Sequence, residues 1–116
     1  MTFLKQQLRM IANAILDVRL HTMNMTDEQA MKLMLEDTYQ EKEEATAKLQ
    51  RAKLSSVQLP TYFAGWRAIV KLRERQAELP GFSLRKFNDA FLGMGALPVP
   101  AVERLLKAAT AADASK

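Results

Sequence analysis

Cysteine is absent from the 116 residues, and histidine and tryptophan each occur once. A chain without cysteine forms no disulfide, holds no zinc through thiolates and has no cysteine nucleophile. The single histidine, His21, leaves no HExxH pair for a zinc ion, and no acidic cluster has the spacing of metal ligands. The patterns GxSxG, GxGxxG and the P-loop are also missing. We therefore expect no metal site and no independent catalysis from this chain.

Long apolar segments are missing as well. No run approaches the roughly 20 residues of a membrane-spanning helix, and the N-terminus lacks the apolar core and cleavage site of a signal peptide. If the chain is the complete protein, these absences predict a cytoplasmic location. The net charge is +4, but the 17 basic residues are interleaved with 13 acidic ones. Interleaving is typical of solvated helix faces, so we expect neither a membrane nor a nucleic acid as the partner.

The sequence predicts an all-α fold, because apolar residues recur at helical spacing and no stretch alternates with a period of two. We expect an irregular bundle of five or six helices in a single domain, residues 1–116, with a frayed tail at residues 111–116. The first helix is predicted at about residues 3–23. Its apolar stripe consists of Leu4, Leu8, Ile11, Ile15 and Val18.

Several residues mark the ends of the later helices. Thr26 and Gln29 have the spacing of a capping box, so a second helix should begin at Thr26 and run to residue 37. Ser83 is a candidate cap for a fifth helix. Pro98 and Pro100 are predicted to precede a short last helix. A third helix is predicted at residues 38–54, and a fourth is predicted to start near residues 58–60 and to continue to about residue 78.

A polar file lies beside the stripe of the first helix: Arg9, Asn13, Asp17 and His21 follow one another at intervals of four residues. At this spacing the Asp17 carboxylate can orient the His21 ring and favour its charged form. The pair has two interpretations. It is either a surface ion pair of little energetic weight, which the spacing alone favours, or a donor positioned beside a substrate.

The stretch QLPTYFAGW, residues 58–66, is the most distinctive one. Pro60 fits the first turn of a helix, where its missing amide hydrogen costs nothing. Tyr62 is then either a core aromatic residue, which the spacing favours, or a phenol that together with the Gln58 amide binds a peptide-like oxygen. Gly65 costs about 1 kcal/mol inside a helix, and such a glycine usually permits the close approach of a backbone or a ligand.

Three ordered segments carry a family resemblance: DVRLHT before MTDEQA, then QLPTYFAG, then FNDAFLGMGALPVP. Over about residues 5–107 the chain resembles the C-terminal region of the bacterial family called domain of unknown function 885. Members of this uncharacterised family look like zinc peptidases of the mostly helical, zincin-like kind. They carry an HExxPGH motif upstream of this region, and none of that motif is present here.

The resemblance implies that this chain is the C-terminal part of a larger fold and forms the substrate-side wall of a cleft. Tyr62 and His21 become the candidate donors to a transition-state oxyanion, Asp17 the residue that orients His21, and Gln58 and Gly65 parts of the cleft wall. Zinc is expected only in the upstream half. That half, a peptide substrate and a second copy of the chain are the implied partners.

Two other functions stay open at this point. A standalone helical module for protein interaction or oligomerisation would use exposed apolar faces and the seven methionines, whose side chains adapt to varied contacts. A helix-turn-helix that binds nucleic acid would use the helix at Thr26 and its neighbours, and its binding should fall steeply with added salt.

Overall fold

The computed structural model describes residues 2–114. This part of the chain is all-α, as predicted, and it contains no strand. One element is a π-helical turn, Leu33–Asp37, which directly follows α2. The α-helices are α1 (Thr2–Thr22), α2 (Asp27–Lys32), α3 (Lys42–Leu54), α4 (Thr61–Ala77), α5 (Leu84–Gly93) and α6 (Val99–Ala114).

The chain divides into two compact units, Met1–Ala64 and Gly65–Lys116. The boundary falls within α4, so that α1, α2, the π-helical turn and α3 belong to the first unit and α5 and α6 to the second. The single domain expected from the sequence stays a prediction. Each unit has its own hydrophobic core and is described by itself.

The core of the first unit is built mainly from small and aliphatic side chains. Its buried members are Leu16, Ala30, Leu33, Met34, Ala45, Leu49, Ala52 and Leu59. Alanine at three of the helix contacts allows the helix backbones to approach closely. The inward positions predicted for α3, Ala45, Leu49 and Ala52, are confirmed.

The buried face of α1 differs from the stripe predicted for it. Ala12, Leu16 and Asp17 are buried, whereas Leu4, Ile11 and Val18 are 69%, 37% and 49% exposed. These three residues, spaced seven apart, form the apolar face of α1. The helix therefore turns Ala12 and Leu16 toward the unit's core, with Ile15 of the predicted stripe packed against it, and leaves the rest of that stripe largely uncovered.

α2 begins at the predicted capping box. The Thr26 side chain accepts a hydrogen bond from the amide of Gln29, and the Gln29 side chain accepts one from the amide of Thr26. The predicted helix also ends at Asp37, but its last turn is π-helical. The Thr38 hydroxyl donates to the carbonyls of Leu33 and Met34 and so stabilises the end of this wide turn. The third helix consequently begins at Lys42 rather than at residue 38.

The second unit has a separate core of Leu72, Phe87, Val102 and Leu106. Ser83 caps α5 as predicted, because its side chain accepts a hydrogen bond from the Lys86 amide. α5 is followed by Gly95 at a φ of +70°, a conformation that glycine adopts without steric cost. The Phe87 ring lies between Phe82 and Phe91, with centroid distances of 6.2 and 5.9 Å.

The last helix is longer than predicted. α6 begins at Val99, so Pro100 lies in its first turn, where the missing amide hydrogen is tolerated. The tail predicted to fray, residues 111–116, overlaps the end of this helix, which reaches Ala114. The last two residues of the predicted tail, 115 and 116, lie outside the described part of the chain.

Candidate functional site

A groove on the first unit is lined by several charged and polar side chains. Its volume is about 510 Å³, and we call it the basic groove. The spacing of four and three residues places Glu44, Lys48 and Arg51 on one face of α3, and α1 and the first turn of α4 supply the remaining groups. The polar side chains that matter below are Arg9, Asn13, Glu44, Lys48, Arg51 and Tyr62.

Lys48 is the most unusual of these residues, because its side chain is only 5% exposed. Its Nζ donates a hydrogen bond to Gln40 Oε1 and lies 3.7 Å from Glu44 Oε1. Burial, and then the neighbouring charges of Arg9 and Arg51, lower the pKa of Lys48 from 10.5 to about 8. The site therefore holds a charged ammonium group that is poorly solvated and repelled by two guanidinium groups.

The other groups of the groove are unevenly paired. Arg9 forms an ion pair with Glu44. Among the described residues, the Arg51 guanidinium and the Tyr62 hydroxyl have no hydrogen bond or ion pair, and the buried Asn13 Oδ1 has no hydrogen-bond partner. Tyr62 is 80% exposed. The groove thus presents a free guanidinium and a phenol to any ligand that enters it, and the unpaired Asn13 Oδ1 is buried in its wall.

Asp17 and His21 lie together, as their spacing predicted, with 3.9 Å between Asp17 Oδ1 and His21 Nε2. Both also contact the segment that follows α3. Asp17 Oδ2 accepts a hydrogen bond of 3.0 Å from the amide of Val57. His21 Nε2 lies 3.1 Å from the carbonyl oxygen of Ala52 and 2.9 Å from that of Ser55, so it donates to the C-terminal end of α3. One turn of α1 thereby holds the connection between α3 and α4.

Gln58 and Tyr62 also share a small hollow, which Thr61 completes. No hydrogen bond of the described residues joins this pair to Asp17 and His21, although Asp17 binds the residue that directly precedes Gln58. Gly65 lies within α4. A Cβ added there would meet no atom within 4 Å, so no backbone within residues 2–114 makes the close approach that its position suggested. The site roles assigned to these five residues from the sequence stay predictions.

Sequence reasoning missed Lys48 and Arg51 as site residues. A signal for Lys48 was present, because it lies between Ala45 and Ala52 on the face of α3 that was predicted to point inward. A lysine at a buried helical position is rare enough to mark a special environment. Arg51 gave no such signal, because an arginine at an exposed position of a helix is ordinary.

Two absences hold for the part of the chain that the structure describes. No group of three histidine, cysteine, aspartate or glutamate residues could hold a metal ion there. None of the helices within residues 2–114 has the length and apolar character needed to cross a membrane.

Comparison with known proteins gives two matches. The family model described as "Bacterial protein of unknown function (DUF885)" matches residues 1–106. A solved structure described as "a putative lipoprotein of unknown function" from Shewanella oneidensis is similar, with a TM-score of 0.84 and 40% sequence identity. The match covers 90% of this chain and 19% of that one, so the chain spans about a fifth of its solved relative. No curated protein matches the sequence.

Proposed function

The chain belongs to the DUF885 family of bacterial proteins, and on that premise we propose that it is the C-terminal helical part of a zinc-peptidase-like fold. In this proposal it supplies the substrate-side wall of a cleft, while the upstream part of the fold supplies the metal and the general base. The chain matches only 19% of the solved relative, so about four-fifths of that larger structure would remain to complete a cleft. This supports the proposal that the chain is one part of a larger fold.

The apolar face of α1 is the observation that carries the proposal. Leu4, Ile11 and Val18 are exposed at a spacing of seven residues, and residues so spaced lie along one side of a helix. Contiguous apolar surface on a small unit marks a surface that another polypeptide covers. We assign the upstream part of the family fold as that cover.

Tyr62 is the better of the two candidate donors. Its hydroxyl is exposed and unpaired among the described residues, as a group that donates to a developing oxyanion has to be. His21 Nε2 already donates to two backbone carbonyls, so His21 could serve a substrate through Nε2 only by giving up those bonds. Asp17, Gln58 and Gly65 keep the supporting roles proposed for them, the first orienting His21 and the others shaping the cleft wall.

The test joins this chain to an upstream family segment that contains HExxPGH and follows the zinc-dependent cleavage of peptides. Tyr62→Phe should lower kcat by roughly 100-fold, the loss typical of removing one oxyanion donor, without changing Tm. Tyr39→Phe is the matched control, because Tyr39 is also an exposed tyrosine of the first unit but lies outside both hollows near Tyr62. Equal cleavage by the wild type and by Tyr62→Phe would exclude the phenol from the reaction.

A standalone interaction module is the second candidate, and the same apolar face favours it. That function predicts self-association of the chain through α1 with no gain in affinity from the upstream segment. Sedimentation of the chain alone and of its mixture with the upstream segment separates the two. A compact monomer that ignores the upstream segment would count against both. The cytoplasmic location expected from the sequence stays a prediction, since the solved relative is described as a lipoprotein.

A further inference from the structure

We propose that the basic groove is a carboxylate site, and that it takes the free C-terminal carboxylate of a peptide. The groove lies entirely within the first unit, so the site needs neither zinc nor the upstream part of the family fold. The proposed function enters only in the choice of a peptide as the molecule that carries the carboxylate.

The charges of the groove leave room for an anion. Arg9, Lys48 and Arg51 bring three positive charges, and Glu44 brings one negative charge that its ion pair with Arg9 already engages. Lys48 is buried beside both arginines, and burial, followed by their repulsion, lowers its pKa to about 8. A bound carboxylate would offset that repulsion. Perturbed titration in a cleft is more common at functional sites than elsewhere.

Arg51 is the residue that we expect to hold the carboxylate. Its guanidinium has no partner among the described residues, and a guanidinium offers two parallel N–H groups that match the two oxygens of a carboxylate. Tyr62, at the first turn of α4, borders the groove with an exposed side chain, but its hydroxyl is not needed to hold the carboxylate. Lys48 adds a nearby charge, although its side chain is already bonded to Gln40.

The buried carbonyl oxygen of Asn13 favours a peptide over a simpler anion. Asn13 Oδ1 has no hydrogen-bond partner in the described part of the chain, and a buried acceptor left unpaired costs about 1–3 kcal/mol. A peptide has an amide N–H next to its terminal carboxylate and can satisfy this oxygen once the Asn13 side chain turns toward the groove that it lines. Inorganic phosphate carries mainly acceptors at neutral pH and does so less well.

The experiment titrates the 116-residue chain with trialanine at pH 7 and follows binding by calorimetry. Trialanine amide, which lacks the carboxylate, and inorganic phosphate are titrated in parallel. We expect trialanine to bind, its amide to bind at least 10-fold more weakly, and phosphate to bind more weakly than trialanine. Arg51→Gln should weaken trialanine binding by about 10-fold, and Asn13→Ala should weaken it less.

Arg85→Gln is the control variant, because Arg85 is an exposed arginine of α5 in the second unit. It should leave trialanine binding unchanged, and circular dichroism of every variant checks that the helices are intact. Arg51 is exposed and unpaired, so its replacement should not unfold the chain. Equal affinity for trialanine and its amide, no effect of Arg51→Gln, tighter binding of phosphate, or no binding up to 10 mM would each overturn the proposal. None of these outcomes bears on peptide cleavage by the joined protein, so the two proposals fail separately.

Discussion

One buried lysine, Lys48, has a lowered pKa, and this makes the free energy of unfolding depend on pH. The pKa of Lys48 is about 8 in the folded chain, against an ordinary value of 10.5. Between these values the unfolded chain keeps the proton and the folded chain releases it. Unfolding then takes up a proton, and the free energy of unfolding increases with pH. The cost of the buried charge is fully present below pH 8 and disappears toward pH 10.5.

Urea unfolding at pH 7 and at pH 10 tests this dependence. A pKa difference of one between the folded and unfolded chains corresponds to about 1.36 kcal/mol. The free energy of unfolding of the wild type should therefore increase by roughly 3 kcal/mol at most between pH 7 and pH 10. Lys48→Met has no proton to release there and should show no such increase. Lys53→Met is the control, because Lys53 is partly exposed and pairs with Asp27. If the free energy of unfolding of Lys48→Met still increases with pH, another titrating group causes the increase.

Residue identity alone predicted part of this site. Tyr62 stood out from the sequence because a proline and a glycine flank it, and the structure does leave it exposed beside a groove. The full environment of Lys48 was beyond reach, because its pKa is lowered first by burial in the folded unit and then by Arg9, which lies on a different helix. The backbone bonds of His21 were missed for the same reason, since they connect residues 31 and 34 positions apart.

At the scale of the elements, the connection between α3 and α4 carries local strain. Val57 has a φ of +67° and its side chain is 71% exposed. A β-branched residue is unfavourable in this left-handed region, where Cβ crowds the backbone. The bonds from Asp17 and His21 to this segment hold it in place. The first unit therefore keeps a strained residue at the place where α1 contacts the connection.

Val57→Gly should raise the free energy of unfolding by about 1 kcal/mol. Glycine removes the steric cost of the positive φ, and the exposed valine side chain contributes little packing that would be lost. Val57→Ala is the control, because alanine loses the branched side chain but keeps Cβ in the same conformation. Chemical denaturation of the three proteins gives the comparison. A glycine variant that is no more stable than the alanine variant would mean that the φ angle is not the source of strain.

Most helix ends were predictable because single polar side chains determine them. The caps at Thr26 and Ser83 use hydrogen bonds to amides three residues later, and such local bonds can be inferred from spacing. The π-helical turn was not predictable. Thr38 was assigned to the next helix, but its hydroxyl bonds back to Leu33 and Met34, and no simple propensity distinguishes these two uses.

For the whole molecule, the apolar face of α1 was visible in the sequence but its environment was not. The spacing of Leu4, Ile11 and Val18 correctly indicated an amphipathic helix. It did not indicate that Ala12 and Leu16 would contact the unit's core instead. A pattern reports that a face is apolar, but it does not identify what covers that face.

The triple variant Leu4→Gln, Ile11→Gln and Val18→Gln should prevent association of the chain with itself or with the upstream segment. Its free energy of unfolding should stay within about 1 kcal/mol of the wild type, because these side chains add little to the unit's own core. Leu92→Gln with Leu105→Gln is the control, as both leucines are exposed in the second unit. Sedimentation velocity measures association and urea unfolding measures stability. Unchanged association, or a large loss of stability, would refute the assignment of this face.

The bonds from Asp17 to Val57 and from His21 to Ser55 span 40 and 34 residues, and this has a consequence for synthesis on the ribosome. Chains emerge from the N-terminus, so α1 is exposed to solvent before its acceptors and donors exist. The first unit can close only after Val57 has left the exit tunnel. Until then Leu16 of the nascent helix lacks the later core residues, such as Leu59, that help to bury it in the folded unit.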